Sequence, residues 1–454
     1  MKIRLFGLIA SVLMLTVALF PSAKPADAHG HGIWQIPGTH PIIFLHGGSG
    51  SAAQFESQAI RFEQNFYPHE YVNVLDYDSS LTLETMADIW NRLDQLIADL
   101  EEETGDDQVD LMGHSMGGNV GSGYIESSPE RAAKVARYVT FDSGSACTDH
   151  TPAGVPTLAI WADHGFHVGC EMVGATNVVI SDCGHVQAAS SPDSFAAVYK
   201  YLTGFRPLTT YILPQLLKPI ELAGRAVIFP QNVGVAGASL EIWKVNRSTG
   251  ARIGSAPAAV YAIDATGNWG PFRAKMGQAY EFDIVRAGQP DHSSYYEPFI
   301  RSDYLIRLLT SGPSGGVSAY MDRSPNHVNL LVGRNMEMWG DQAVNDVLKV
   351  NGTNVITATT HYATKMVNYN FIFDKLADGI SHIGVPVQPY ASIGFFQGVD
   401  LYIPGAYPPN GTVSVALTSR TDGGKTQTIN VPNLASSEVR VKTVMFNDWV
   451  LPWP

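Results

Sequence analysis

The chain has 454 residues, of which 45% are hydrophobic, and a formal net charge of −13. This length predicts two or three domains with a sizeable core rather than one small domain. The excess of acidic residues argues against nucleic acids and anionic lipid surfaces as partners, and it favours a neutral substrate.

Residues 1–28 have the pattern of a secretory signal peptide. Lys2 and Arg4 precede an apolar run over residues 5–20, and Ala26-Asp27-Ala28 supplies small residues at a peptidase site. The apolar run is short for a membrane span, and no later segment qualifies. We therefore expect cleavage after Ala28, a secreted extracellular protein, and no transmembrane segment in the mature chain.

Residues 29–206 alternate between strand and helix patterns. Apolar spacing predicts an amphipathic helix over residues 83–100 that is closed by Gly105, and a last helix over residues 192–202. Apolar runs predict strands at 41–45, 72–75, 109–112, 138–141, 157–161 and 177–180. This alternation predicts a parallel sheet whose chemistry lies at the carboxyl ends of its strands.

The strand at 109–112 ends in Gly113-His114-Ser115-Met116-Gly117. Gly-x-Ser-x-Gly between a strand and a helix is typical of a sharp turn that holds a nucleophilic serine at the edge of a sheet. The glycines are needed because such a turn leaves no room for side chains. Ser115 is therefore the predicted nucleophile.

A serine nucleophile needs a base, and the base needs an orienting acid. His185 follows the last predicted strand, and the chain order of serine, acid and histidine fits this type of turn. Asp142 and Asp163 each follow a strand that comes after the nucleophile strand. Position alone leaves both aspartates open as the acid, although Asp163 has the commoner location.

Two backbone N–H groups are needed to stabilise the oxyanion of an acyl-transfer reaction. Met116 comes directly after the nucleophile and supplies one by its position. Gly48, in the glycine-rich segment that follows the first strand, is the predicted second donor.

From about residue 207 to 454, short runs of alternating polar and apolar residues are separated by clusters of Gly, Pro, Asn and Asp. This pattern predicts an antiparallel β-sandwich or barrel region, either as one unit or as two modules that divide near 311–316. Phe395-Phe396 within it is interpreted as edge-strand core packing rather than a lipid contact.

The cysteines are Cys147, Cys170 and Cys183, and all three fall in loops expected around the serine. In an oxidising compartment one disulfide is expected, with Cys170–Cys183 as the first choice and Cys147 as the alternative partner.

Several segments resemble a family of secreted α/β-hydrolase lipases that includes a hyperthermophilic archaeal member. The likeness covers nearly the whole mature chain, and its most specific segments are His46 to Gln58, Gly113 to Gly117, Ser127 to Ala136, Thr176 to Gln187, Tyr295 to Phe299 and Phe373 to Gly379. The resemblance implies a triacylglycerol-lipase type of esterase with a C-terminal β-barrel that binds lipid. It matches Ser115 and His185 to catalytic positions, and it favours Asp142 over Asp163 as the acid.

One departure from that family follows Asp76-Tyr77-Asp78. The family carries a long lid insertion there, whereas this chain passes almost at once into the helix at 83–100. We therefore expect a more open site and a shift toward shorter esters or polyesters.

The sequence thus predicts a secreted serine lipase or carboxylesterase that needs no cofactor and no metal. Acylglycerols are the first choice of substrate, and short-chain esters or extracellular polyesters are the alternative. Lipid-interface contact would come through the C-terminal domain. The rival hypothesis is a non-catalytic, β-rich surface or polymer-binding protein, which leaves Ser115, His185 and Gly48 unexplained as a set.

Overall fold

The computed structural model describes residues 38–144, 147, 149–312 and 315–451. The signal peptide predicted at residues 1–28 lies outside this part of the chain. Within it, no helix is long and apolar enough to cross a bilayer.

The first half of the chain builds one six-stranded sheet in which every neighbouring pair is parallel. Its strands are β1 (Ile42–Leu45), β2 (Val72–Leu75), β3 (Val109–His114), β4 (Val135–Phe141), β5 (Thr157–His164) and β6 (Thr176–Gly184). Their order is β2-β1-β3-β4-β5-β6, which puts the nucleophile strand β3 in the interior of the sheet.

Helices pack on both faces of this sheet. They are α1 (Glu56–Gln64), α2 (Met86–Thr104), α3 (Met116–Ser127), α4 (Pro129–Ala133), α5 (Gln187–Ser190) and α6 (Pro192–Thr203). Side chains from α2 and α3 form one core with the sheet, and side chains from α1 and α6 form another on the opposite face. This arrangement is an α/β-hydrolase fold, as the sequence predicted.

Helix α2 begins later than its apolar spacing predicted. Thr85 accepts a hydrogen bond from the backbone N–H of Asp88, whose side chain accepts one from the Thr85 N–H, so a capping box starts the helix at Met86. Leu83 consequently lies outside the helix and is 61% exposed. At the other end, Gly105 adopts a φ of 74° and closes the helix as expected.

The second half of the chain is composed almost entirely of strands. They are β7 (Ile220–Ile228), β8 (Val233–Gly234), β9 (Ser239–Val245), β10 (Ala259–Ala262), β11 (Asn268–Ala274), β12 (Ala279–Val285), β13 (Asp291–Tyr296), β14 (Asp303–Thr310), β15 (Leu330–Gly333), β16 (Val347–Val350), β17 (Thr353–Asn354), β18 (Tyr369–Phe373), β19 (Phe396–Asp400), β20 (Thr412–Thr418), β21 (Thr426–Pro432) and β22 (Val439–Met445).

These strands form an eight-stranded sheet in the order β10-β9-β12-β13-β22-β15-β18-β19 and two smaller sheets. The large sheet is mixed rather than purely antiparallel, because β22 runs parallel to both of its neighbours and β18 runs parallel to β19. Hairpins can join only antiparallel strands, and these parallel pairs are joined by longer connections. The large sheet therefore draws on strands from both sides of residues 311–316.

The disulfide links Cys147 to Cys170, so the first-choice pairing of Cys170 with Cys183 is wrong. Cys147 and Cys170 lie in loops beside Trp161 and Met172. Cys183 is a free thiol that is fully buried in the core on the α1 and α6 side of the parallel sheet. A strand residue that faces this core cannot reach a loop cysteine, which the sequence spacing alone did not reveal.

Candidate active site

Ser115 occupies a strained turn between β3 and α3, with φ 52° and ψ −119°. A Cβ on Gly113 would lie 2.3 Å from the carbonyl oxygen of Gly117, and a Cβ on Gly117 would lie 2.1 Å from that of Leu45. Only glycine therefore fits on either side of the serine. The turn places Ser115 in the wall of a cavity at the carboxyl edge of the sheet.

His185 follows β6 and pairs with Asp142, which follows β4. Nδ1 of His185 lies 2.6 Å from Oδ2 of Asp142, and both side chains are fully buried. In the neutral ring Nδ1–H donates to the carboxylate, and Nε2 is the unprotonated nitrogen that can accept a proton. Among the described residues, Nε2 has no hydrogen-bond partner, and the ring lies in the wall of the same cavity as Ser115.

The structure places Asp163 in a different role. Its two carboxylate oxygens accept hydrogen bonds from the backbone N–H groups of Asp182 and Cys183, each at 2.9 Å. These contacts hold the end of β6 against the end of β5. Of the two candidate acids, Asp142 is the one that the fold brings to His185.

The two backbone N–H groups predicted to stabilise the oxyanion belong to Gly48 and Met116. Gly48 lies in the loop after β1 and lines the cavity, and Met116 is the first residue of α3. Throughout the described chain, neither amide donates to a backbone carbonyl. Both donors are therefore free to stabilise an oxyanion, an interaction worth about 2.7–4 kcal/mol per donor.

Gln54 and His114 support this site, and the sequence analysis gave neither a role. The Gly47 N–H donates to Oε1 of Gln54 at 3.0 Å, Nε2 of Gln54 lies 2.7 Å from Nδ1 of His114, and Nε2 of His114 lies 2.8 Å from the carbonyl oxygen of His185. Burial and the neighbouring His185 hold the pKa of His114 well below its usual value, so the ring is neutral. A neutral ring accepts from Gln54 and donates to His185.

A carboxylate from the C-terminal region fixes the segment that follows His185. Glu337 accepts hydrogen bonds from the N–H groups of Val186 at 2.5 Å and Gln187 at 3.1 Å, directly after His185. Its side chain is fully buried and lies where a Cβ on Gly184 would have to be. The motif-based analysis could not detect this residue, because it lies 150 positions away from Gln187 in the chain.

The cavity at Ser115 offers about 110 Å³ to the centres of water-sized molecules, within about 1240 Å³ of empty space that includes open solvent. One wall comes from the loops of the hydrolase domain, and the floor is one face of the large mixed sheet. Strand alternation presents Leu331, Val441 and Phe371 on this face, while Val332 and Val444 point into the core behind it. The C-terminal region is therefore part of the candidate site.

Aromatic rings surround the catalytic imidazole. Phe166 lies 4.4 Å from the His185 ring, and Phe395 lies 6.1 Å from it, measured between ring centroids. Phe166 is 54% exposed, so it stands at the solvent side of the site. Phe396 packs in the sheet as predicted, but both Phe395 and Phe396 also line the cavity, a role that the sequence interpretation missed.

One group of side chains in the described residues has the spacing of a metal site. Asp163, His164 and Asp182 each bring one ligand atom within 4.8 Å of the others. Both Asp163 oxygens already accept backbone hydrogen bonds, and Asp182 is exposed. The hydrogen bonds of this cluster join the carboxyl ends of the parallel strands β5 and β6.

Three family models match separate parts of the chain. A model described as palmitoyl protein thioesterase matches residues 41–188, a lipase C-terminal domain model matches residues 218–313, and a further C-terminal domain model matches residues 316–450. No curated protein matches the chain.

Several solved structures resemble a little over a third of the chain. A gene product of Listeria innocua is 17% identical with a TM-score of 0.29, over 38% of this chain and 97% of its own. Aspergillus fumigatus lipase B is 13% identical with a TM-score of 0.30, over 38% of this chain and 54% of its own. Bacillus licheniformis lipase BlEst2 is 13% identical with a TM-score of 0.31, over 38% of this chain and 96% of its own.

The parallel sheet and the family matches together describe a lipase- or esterase-like α/β-hydrolase.

Proposed function

We propose that this protein hydrolyses neutral carboxylic esters through an acyl-enzyme, with Ser115 as nucleophile, His185 as base and Asp142 as orienting acid. The observation that carries the proposal is the 2.6 Å contact between His185 Nδ1 and Asp142, which leaves Nε2 unbonded in the cavity wall that also contains Ser115. Structural roles alone do not account for an imidazole oriented in this way.

In the first half-reaction, Nε2 of His185 accepts the hydroxyl proton of Ser115 as Oγ forms a bond to the carbonyl carbon. The oxyanion is held by the N–H groups of Gly48 and Met116. The bond to the alcohol oxygen then breaks, and His185 returns its proton to the departing alcohol. Asp142 stabilises the imidazolium while it carries that proton.

In the second half-reaction, water takes the place of the alcohol. His185 accepts a proton from water as the hydroxide oxygen bonds to the acyl carbon, and the same two amides hold the oxyanion. The bond to Ser115 Oγ breaks, His185 protonates the serine, and the carboxylic acid is released.

Acylglycerols are the first choice of substrate. The cavity wall is mainly apolar and aromatic, and the C-terminal sheet encloses it from below, which suits a single acyl chain better than a long polymer. The thioesterase family match makes acyl thioesters the second candidate, because the same steps cleave a thioester. Lipid-interface contact through the C-terminal domain remains part of the proposal, and exposed Phe166, 54% accessible beside His185, would add an apolar contact from the hydrolase domain.

Secretion is a further part of the proposal. The pattern of residues 1–28 and the Cys147–Cys170 disulfide support an oxidising compartment outside the cytosol.

The test is hydrolysis of p-nitrophenyl esters from acetate to palmitate, together with palmitoyl thioester, by the full chain. Ser115→Ala should abolish turnover, and Ser122→Ala, on the same helix, should not. A p-nitrophenyl phosphonate should transfer its phosphonyl group to Ser115 Oγ with release of p-nitrophenolate, and the protein mass should rise by that phosphonyl group alone. Absence of Ser115-dependent turnover and of labelling would overturn the proposal and leave a β-rich binding protein as the remaining hypothesis.

A further inference from the structure

The floor of the cavity consists of side chains in rows that run across the large sheet. The row nearest the catalytic loops contains Tyr296, Met445, Tyr369 and Phe396 in neighbouring strands. Tyr296 donates to the carbonyl oxygen of Arg307, whose guanidinium reaches the carbonyl oxygen of Ser49 in the loop after β1. This row therefore marks the catalytic end of the cavity.

The distal end of the floor is marked by His292. His292 lies on β13, as does Tyr296, and it is paired with Val441 on the neighbouring strand β22. The side chains of His292, Tyr296 and Val441 all line the cavity. Four residues of strand separate His292 from Tyr296, a distance of about 13 Å. Between the two ends of the floor, Leu331 and Phe371 present apolar surface, and Thr443 beside Leu331 adds one hydroxyl group.

His292 is 2% exposed, and within the described residues neither of its ring nitrogens has a hydrogen-bond partner. Buried polar groups are almost always paired, because an unpaired one loses its hydration without compensation. Burial, together with Arg286 and Arg440, lowers the pKa of His292 to about 3, so the ring is neutral. It therefore offers one N–H donor and one acceptor to whatever fills the cavity.

Two arginines, Arg286 and Arg440, act on this ring electrostatically, although neither is among the residues that line the cavity. The Nε atoms of Arg286 and Arg440 are buried and have no hydrogen-bond partner in the described chain. Arg286 donates from Nη1 to the carbonyl oxygen of Ser311 at 2.7 Å. Asp291 is the acid that acts on the pKa of Arg286 through its charge, but the two side chains form no ion pair in the described chain. The positive potential at the distal end is thus not neutralised by a carboxylate in contact.

Two hydroxyl groups complete the distal end. Ser311 and Ser318 line the cavity, and their Oγ atoms lie 2.7 Å apart. Because Arg286 donates a hydrogen bond to the carbonyl oxygen of Ser311, its guanidinium group lies close to the residue that carries one of these hydroxyl groups. We refer to His292, Arg286, Arg440, Ser311 and Ser318 as the distal polar cluster.

We propose that the distal polar cluster binds a terminal carboxylate on the acyl chain of the substrate, so that half-esters of dicarboxylic acids are preferred over plain acyl esters of equal length. This inference rests on the proposed ester hydrolysis at Ser115. The methylene chain lies along the apolar middle of the floor, and the carboxylate accepts the N–H of His292. A methyl terminus leaves both ring nitrogens unpaired, and the two guanidinium groups favour an anion over a neutral end group.

The test compares matched pairs of substrates, mono-p-nitrophenyl esters of six- to twelve-carbon dicarboxylic acids against p-nitrophenyl esters of the plain acids. The measured quantity is the ratio of kcat/KM for the carboxylated ester to that for the plain ester. We expect the wild-type ratio to exceed one at an intermediate length and to fall at least tenfold in His292→Phe. Arg440→Met, at a partly exposed position, should lower the ratio independently.

His382→Phe is the control, because this histidine is half-exposed and lies outside the cavity. It should leave the ratio unchanged. A ratio that is the same in wild type, His292→Phe and Arg440→Met would overturn the distal site, while Ser115-dependent hydrolysis of plain esters would keep the proposed function intact.

Binding separates the two proposals further. Calorimetry with Ser115→Ala and monomethyl suberate should show affinity that is lost when His292→Phe is added. If that binding is seen but no ester is ever hydrolysed, the distal site stands and the proposed function fails. Equal affinity in both variants contradicts the distal site.

Discussion

Gln54 and His114 meet across 2.7 Å, and this contact joins the loop that carries Gly48 to the strand that carries Ser115. On one side, Oε1 of Gln54 holds the Gly47 N–H, and on the other, His114 holds the backbone of His185. The proposed nucleophile Ser115, the Gly48 loop and the proposed base His185 are thereby fixed relative to one another by two side chains in the cavity wall.

Gln54→Leu should therefore lower kcat by about a hundredfold with little change in KM, because a small misplacement of reacting groups is costly. Gln54→Glu retains an acceptor for Gly47 but has no donor for neutral His114, so we expect a similar loss. Gln58→Leu, on the following turn, is the control for stability, since its amide donates to Ser191 rather than to the site. Steady-state kinetics and the rate of phosphonate labelling at Ser115 measure the effect.

Asp142→Asn should lower kcat by about 10⁴-fold, because the amide no longer orients and stabilises the imidazolium. Asp163→Asn should keep kcat within about tenfold of the wild type, and cost about 1–3 kcal/mol of folding free energy through the lost acceptor at Asp182 or Cys183. Kinetics and urea unfolding of the two variants in parallel distinguish the roles. The reverse pattern would make Asp163 the catalytic acid.

Thiol counting should yield one free cysteine per unfolded, unreduced chain and three after reduction. In the native protein we expect no reaction with iodoacetamide, since burial raises the pKa of Cys183 well above its usual value and keeps its thiol protonated. Peptide mapping should find the label on Cys183 alone in the unreduced sample. Replacing Cys147 and Cys170 by alanine should cost about 3 kcal/mol of folding free energy. Label on Cys147 without reductant would contradict the observed pairing.

Glu297 should make folding stability dependent on pH. Burial raises its pKa from 4.5 to about 7, while Asn447 and Gln427 donate to its carboxylate. A raised carboxyl pKa means that the folded state binds the proton more tightly than the unfolded state does. The stabilisation from protonated Glu297 is therefore complete below pH 4.5 and is lost as the pH rises through 7.

Glu297→Gln carries no titrating proton, so its melting temperature relative to the wild type should be higher at pH 8 than at pH 5. Glu102→Gln, at an exposed helix position, is the matched control. Differential scanning calorimetry of the three proteins at both pH values provides the comparison. Parallel melting curves for Glu297→Gln and wild type at the two pH values would exclude this role.

Local patterns were sufficient to predict the catalytic edge of the hydrolase domain. The apolar runs, the glycines around Ser115 and the order of Ser115, Asp142 and His185 all depend on near neighbours in the chain. The partner acid of His185 could not be chosen from local sequence, because Asp142 and Asp163 each come at the end of a parallel strand. They differ in their hydrogen-bond partners, which are the His185 ring for Asp142 and the backbone N–H of Asp182 for Asp163. Resemblance to a known family favoured Asp142, the residue that the fold brings to His185.

Long-range contacts explain what the sequence analysis missed. Glu337 reaches His185 only because the C-terminal region folds back onto the hydrolase domain. In its local sequence His292 is one polar residue of an ordinary strand. Its place in the cavity floor depends on the pairing of β13 with β22, which begins at Val439. Strand alternation predicts which residues share a face, but it does not tell which strands become neighbours.

The position of β22 between β13 and β15 has a consequence for biosynthesis. Residues 439–445 leave the ribosome long after the hydrolase domain, and without them the centre of the large sheet is missing. Domains fold in the order of synthesis, whereas contacts between distant residues form late. We expect the proposed ester hydrolysis to be absent from the nascent chain until β22 is inserted into the large sheet.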